Sequence, residues 1–194
     1  MIYTTHYSSP IGKLLLAEKD DALVGLWIEG QKYYLGTVRE EIKEVGDSAV
    51  LAQARRWLDR YFAGERPSVM ELNTAPDGSP FRKAVWQILC EIPYGRTITY
   101  GEIAKKLVQN NGFSKMSAQA VGGAVGRNPV SIIIPCHRVV GSNGSLTGYA
   151  GGVEIKQKLL ALEGTDMSGL FIPKKGTACL LYTSPSPRDP KTSR

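Results

Sequence analysis

The stretch Asn128-Pro129-Val130-Ser131-Ile132-Ile133-Ile134-Pro135-Cys136-His137-Arg138-Val139-Val140 concentrates the side chains able to do chemistry. An apolar, β-branched run carries the backbone through the core, and Pro135, which has no N–H, ends the regular ladder. Cys136 follows at once, at the end of a rigid element that can hold a reactive atom in place. His137 and Arg138 put positive charge beside the thiol and so favour the thiolate, its nucleophilic form. Adjacent side chains of an extended segment point to opposite faces, so Cys136 and His137 meet only through a local kink or a bridging water. A lone Cys-His pair is equally compatible with no chemistry at all.

The other cysteines read differently. Cys90 falls on an apolar helix face, where a free cysteine behaves as a small hydrophobe. Cys179 lies in 177–194, a Pro- and Ser-rich tail without periodicity that reads as disordered, of the kind a read-through scar leaves. With only His6 and His137, no CxxC and no HxxxH, the sequence offers no zinc site.

The elements that must position Cys136 fall in two groups. Alternation predicts strands over 2–7, 13–17 and 22–28, with turns at Pro10-Ile11-Gly12 and Lys19-Asp20-Asp21. From Ser48 to Phe62 apolar residues recur at three- and four-residue spacing, an amphipathic helix that stops at Gly64. Val69-Met70-Glu71-Leu72 is expected to return as a strand. The turn-rich Thr74 to Pro80 segment is the natural boundary. Beyond it, Ser79 caps a helix with Pro80 at its first position, and Pro93-Tyr94-Gly95 ends it. Thr99 caps the next, Tyr100 to Leu107, with Glu102 completing a capping box. Ser117 opens a third helix after a polar loop. Two short helices so joined are a helix-turn-helix or a plain hairpin. The third helix, 117–126, contains interior glycines that each cost about 1 kcal/mol relative to alanine. Close packing on the core or close approach to a nucleic-acid groove would each explain them.

Composition supports a folded chain: of 194 residues, 42% are apolar and 22% charged. No apolar run approaches a bilayer span and Met1 to His6 opens no signal peptide, so a cytoplasmic protein without a membrane partner is expected. Three cysteines fit a reducing compartment. The net charge of +6 is uneven, with residues 1–76 slightly acidic and 77–176 carrying 12 Lys/Arg against 6 Asp/Glu. Either the second half meets a polyanion or the surface is simply uneven.

The Pro-Cys-His-Arg-Val block, with Ala120-Val121-Gly122-Gly123-Ala124 and Asn128-Pro129 before it and Gly148-Tyr149-Ala150-Gly151-Gly152 after it, resembles the O6-alkylguanine-DNA alkyltransferase family. Ile92-Pro93-Tyr94-Gly95, Thr99-Tyr100, Ile103-Ala104 and Leu159-Leu160-Ala161-Leu162-Glu163-Gly164 match in the same order. The resemblance implies an α/β (α+β) protein: a ribonuclease-H-like α/β domain (1–76), a mainly helical winged helix-turn-helix domain (77–176), and the tail. It implies transfer of a methyl or other alkyl group from guanine O6 in double-stranded DNA to Cys136. The transfer is stoichiometric and irreversible, by a monomer needing no cofactor or metal. It makes His137 the base acting through a water, Glu163 the carboxylate that orients it, and Asn128 the brace of the turn. Tyr100 becomes the residue that helps rotate the nucleotide out and protonates the leaving guanine. Tyr100, Val139, Tyr149 and Ala150 become pocket walls, while Gln119, Gly122, Arg127 and Ser142 are placed at the DNA minor groove, with the base flipped out. Gln119 stands where the family often has an arginine. The alternative is a non-catalytic lesion-binding or regulatory protein of the same fold, but such relatives lack the acceptor cysteine. A cysteine hydrolase would need a separate histidine, and only His6 remains.

Overall fold

The computed structural model describes residues 1–173 other than 47, 111, 113 and 114, so the tail and Cys179 lie outside the described residues. Three strands, β1 (Ile2–Ser9), β2 (Gly12–Lys19) and β3 (Ala22–Ile28), form an antiparallel meander. Asp20 and Asp21, both with positive φ, make its tight β2–β3 turn. A short β4 (Ile42–Glu44) adds parallel to β1, giving the order β3-β2-β1-β4. Helix α1 (Ala49–Phe62) starts where the Ser48 hydroxyl accepts from the Leu51 N–H at 3.1 Å, and buries Leu51, Ala54, Trp57, Leu58 and Tyr61.

Residues 69–72 do not return as a strand. Val69–Glu71 is a single 3₁₀ turn, because Ser68 and Glu71 form a capping box: the Glu71 carboxylate accepts from the Ser68 N–H at 2.8 Å. The chain meets the sheet only afterwards, at a Leu23–Thr74 bridge.

The second half comprises α2 (Pro80–Cys90), β5 (Ile98–Thr99), α3 (Tyr100–Asn110), α4 (Ala118–Val125), β6 (Val139–Val140), parallel to β5, and α5 (Val153–Leu162). The fold is therefore mixed α+β. Ser79, Thr99 and Ser117 supply the starts of α2, α3 and α4. One apolar core runs through both halves, from Leu14, Leu26 and Leu58 to Trp86, Leu107, Val121, Ile134 and Leu159. Among the described residues no helix is long and apolar enough to cross a membrane.

The buried run 130–134 is not a ladder. It touches β3 at one bridge, Leu26–Val130, and then turns, with Ile132 held at φ 71°. A β-branched residue there is strained backbone. The turn it serves leads directly into Cys136.

Candidate active site

Cys136 opens a 3₁₀ turn, Cys136–Arg138, rather than an extended segment. The consequence is geometric: its side chain and that of His137 leave a tight turn instead of opposite strand faces. Asn128 holds the turn. Its Nδ2 donates to the Ile134 carbonyl at 2.8 Å and to Cys136 Sγ at 3.1 Å, with a longer 3.3 Å contact to the Val130 carbonyl. Its Oδ1 accepts from the Val130 N–H at 3.0 Å. Cys136 is buried, 5% exposed, and burial pushes its thiol above the ordinary range. The Asn128 hydrogen bond and the charge of Lys156 oppose that rise.

Arg138 does not stabilise the thiolate as its position in the sequence suggested. Its guanidinium is spent on Glu163, with Nε to Oε2 at 2.8 Å and Nη2 to Oε1 at 2.9 Å, and on the Ile92 carbonyl at 2.5 Å. Nor does His137 aid the thiol as a cation. Burial pushes its pKa below the ordinary value despite the Glu163 hydrogen bond and charge, so the ring is neutral. Its Nε2 lies 2.8 Å from Glu163 Oε1, and its buried Nδ1 has no hydrogen-bond partner among the described residues.

Glu163 is the C-cap of α5 and almost fully buried. A carboxylate at a helix C-terminus opposes the dipole. Here a dense set of donors outweighs that: His137, two Arg138 nitrogens, the Tyr61 hydroxyl on Oε1 at 2.8 Å, and the Gly95 N–H on Oε2 at 3.1 Å. Burial alone would raise its pKa, but the hydrogen bonds from His137 and Arg138 and the charge of Arg138 hold it well below the usual carboxylate range. Gly95 is required on two counts, its φ of +71° and the 2.7 Å a Cβ would leave to the Glu163 carbonyl.

The walls follow. Val139 and Tyr149 are buried, Ala150 is half-buried, and the Tyr149 ring stands edge-on to His137 at 6.4 Å, its buried hydroxyl without a hydrogen-bond partner among the described residues. Tyr100 donates to the Thr147 carbonyl at 3.0 Å. Gly148 passes so close that a Cβ would lie 2.4 Å from the Tyr100 hydroxyl. Lys156, fully buried, donates to the same Thr147 carbonyl at 3.0 Å and to that of Val139. Burial lowers its pKa to about 8, opposed by the charge of Cys136. Among the described residues no group of three His, Cys, Asp or Glu side chains is placed to hold a metal ion.

Gln119, Arg127 and Ser142 are exposed and Gly122 is half-buried. Arg127 donates to the Gly123 carbonyl and lies over the Tyr33 ring, 5.0 Å from its centroid. A Cβ at Gly122 or Gly123 would meet nothing nearer than 3.8 or 3.7 Å, so core packing does not impose these glycines.

The structure thus gathers Asn128, Cys136, His137, Glu163, Tyr100, Val139, Tyr149 and Ala150 about one turn. Tyr61 and Lys156 are additions that the sequence analysis missed. Tyr61 sits on the buried stripe of α1 with nothing to mark its hydroxyl. Lys156 left a signal: it is three residues after Val153 and three before Leu159, on the inner face of α5.

Comparison with known proteins identifies the family. Residues 2–76 match the family model of the 6-O-methylguanine DNA methyltransferase ribonuclease-like domain, and residues 80–165 match that of the 6-O-methylguanine DNA methyltransferase DNA binding domain. The methylated-DNA–protein-cysteine methyltransferase of Methanosarcina acetivorans is 48% identical over 169 residues, covering 84% of this chain and 99% of that protein. That of Haemophilus influenzae is 40% identical over 162 residues, covering 84% and 86%. The crystal structure of Mycobacterium tuberculosis OGT in complex with DNA superposes with a TM-score of 0.70 at 40% identity, covering 84% of this chain and 91% of that one. With both halves matched in order, the chain belongs to the 6-O-methylguanine DNA methyltransferase family.

Proposed function

We propose that the protein repairs DNA by transferring a methyl or other alkyl group from guanine O6 to Sγ of its own Cys136. The observation that carries this is the pairing of a buried thiol hydrogen-bonded to Asn128 with a neutral His137 whose Nε2 is engaged by Glu163 and whose Nδ1 is uncommitted. That ring can take the thiol proton at Nδ1, through a bridging water, while Glu163 stabilises the imidazolium that forms. The thiolate attacks the alkyl carbon, the carbon–oxygen bond breaks, and its electron pair goes to guanine O6. Tyr100 protonates the departing base, its hydroxyl now resting on the Thr147 carbonyl. The product is a thioether, which no residue here can reverse, so each molecule acts once.

The target guanine leaves the stack, since its O6 is otherwise shielded from a buried thiol, and is received between Tyr100, Val139, Tyr149 and Ala150. Helix α4 enters the minor groove, where a face made of Gly122, Gly123 and alanines is slim enough to fit. Gln119 fills the gap left by the flipped base, and Arg127 and Ser142 lie toward the phosphates. The protein acts as a monomer in the cytoplasm. Gly123→Ala separates the two reasons for a glycine. It raises stability by about 0.5–1 kcal/mol through helix propensity yet weakens binding to duplex DNA, as thermal unfolding and a DNA titration would show.

The deciding experiment is intact mass after incubation with a duplex containing O6-methylguanine, followed by peptide mapping. A gain of one methyl group on Cys136 is expected. DNA bound with no gain in mass would identify a lesion-binding module instead.

A further inference from the structure

We infer that Tyr61, from the N-terminal half of the chain, is a positioning residue of the transfer site, fixing Glu163 and through it the proton-accepting form of His137. This rests on the alkyl-transfer reading above.

The Tyr61 ring is explained by packing: it stacks on Trp57 at 5.4 Å and meets Phe62 and Tyr94 edge-on at 5.3 and 6.1 Å. A phenylalanine would fill that space equally well. The hydroxyl is not explained by packing, since burying a hydroxyl is costly unless it is hydrogen-bonded. Here it donates to Glu163 Oε1 at 2.8 Å and lies 3.5 Å from His137 Nε2. Because its proton goes to Oε1, the oxygen presents a lone pair toward Nε2, which suits Nε2 carrying the hydrogen. That leaves Nδ1 as the basic nitrogen, free of a hydrogen-bond partner among the described residues. The same bond draws charge from Oε1, the oxygen that pairs with His137, and so limits how basic the ring becomes. The other groups acting on His137 are Arg138, which also holds Oε1, the Lys156 ammonium and the Tyr149 ring.

Tyr61 is the deepest of a series of props from the first half. The Lys32 N–H donates to the Ala150 carbonyl at 3.0 Å, the Ser131 hydroxyl to Gln31 at 3.2 Å, and the Leu26 N–H to the Pro129 carbonyl at 2.8 Å. Pocket wall, strained turn and base are each held from the same side.

The test is Tyr61→Phe in the full chain, with methyl transfer from an O6-methylguanine duplex followed in single turnover across the acid range. Freed of the Tyr61 donor, Oε1 stabilises the imidazolium more, His137 titrates at higher pH, and the acid limb of the rate profile moves up. The expected shift is about half to one pH unit, with a rate loss of about three- to tenfold on the acid side. DNA affinity stays unchanged. Tyr94→Phe is the matched control: it packs on the same ring, its hydroxyl reaches the Leu162 carbonyl at 3.4 Å rather than Glu163 or His137, and its profile should follow the parent protein. A Tyr61→Phe protein with the parental pH profile overturns the inference, even if its unfolding temperature falls. Failure of the unaltered protein to accept methyl would instead sink the functional reading.

Discussion

Glu163→Gln is expected to lower stability by about 3–5 kcal/mol, because it strands a buried guanidinium. Around this carboxylate both oxygens accept and nothing donates to the surroundings: Arg138, His137, Tyr61 and the Gly95 N–H all point at it. A carboxamide keeps one acceptor, and whichever way it faces, its NH₂ meets donors. Methyl transfer should fall by about a hundredfold, since His137 loses the charge that stabilises its protonated form. The pH dependence separates this from general damage. Glu163 titrates lower in the folded chain than its ordinary 4.5, so its contribution to stability is complete above that value and is lost as pH falls below it. Denaturant unfolding at neutral pH and near pH 4 should show the glutamine variant's deficit narrowing in acid. An equal deficit at both would mean that Glu163 is not the ionised centre of the cluster.

Asn128→Ala is the other large effect. The side chain satisfies the buried Val130 N–H and the Ile134 carbonyl while donating to Cys136 Sγ. Truncation leaves the Val130 N–H unpaired next to a strained Ile132, at about 1–3 kcal/mol, and leaves the Ile134 carbonyl with the Cys136 N–H as its remaining donor. It also removes a hydrogen bond that favours the thiolate, against a burial effect that already raises the thiol. Cys136 should therefore need a higher pH to react. Transfer rates and thiol labelling measured against pH should both move to the alkaline side, and coincidence with the parental curves would show that Asn128 only braces the backbone.

What the sequence revealed, and what it hid, divides by the range of the forces involved. Ser48, Ser79, Thr99 and Ser117 act on amides within three residues, so helix starts are written locally. The motif around Cys136 is contiguous, and the resemblance to the family is legible from it. Strand β4 was missed because its three residues are all exposed and carry no alternation. Residues 69–71 were misread because their apolar content outweighed the Ser68–Glu71 capping signal. Arg138 was credited with helping the thiol because it follows it in the chain, whereas Glu163, 25 residues on, claims it in space. Tyr61 and Glu163 are 102 residues apart. No pattern within either helix marks that pair.

The single core joining Leu14 and Leu58 to Ile134 and Leu159 has a consequence for how activity is lost. Although separate family models match residues 2–76 and 80–165, the largest apolar cluster is shared by both halves. The Tyr61 hydroxyl on Glu163 carries the hydrogen bonds of the site across the seam between them. Heat or denaturant should then erase fold and reactivity in one cooperative step, and a substitution deep in the sheet, remote from any DNA, silences repair by loosening the seam.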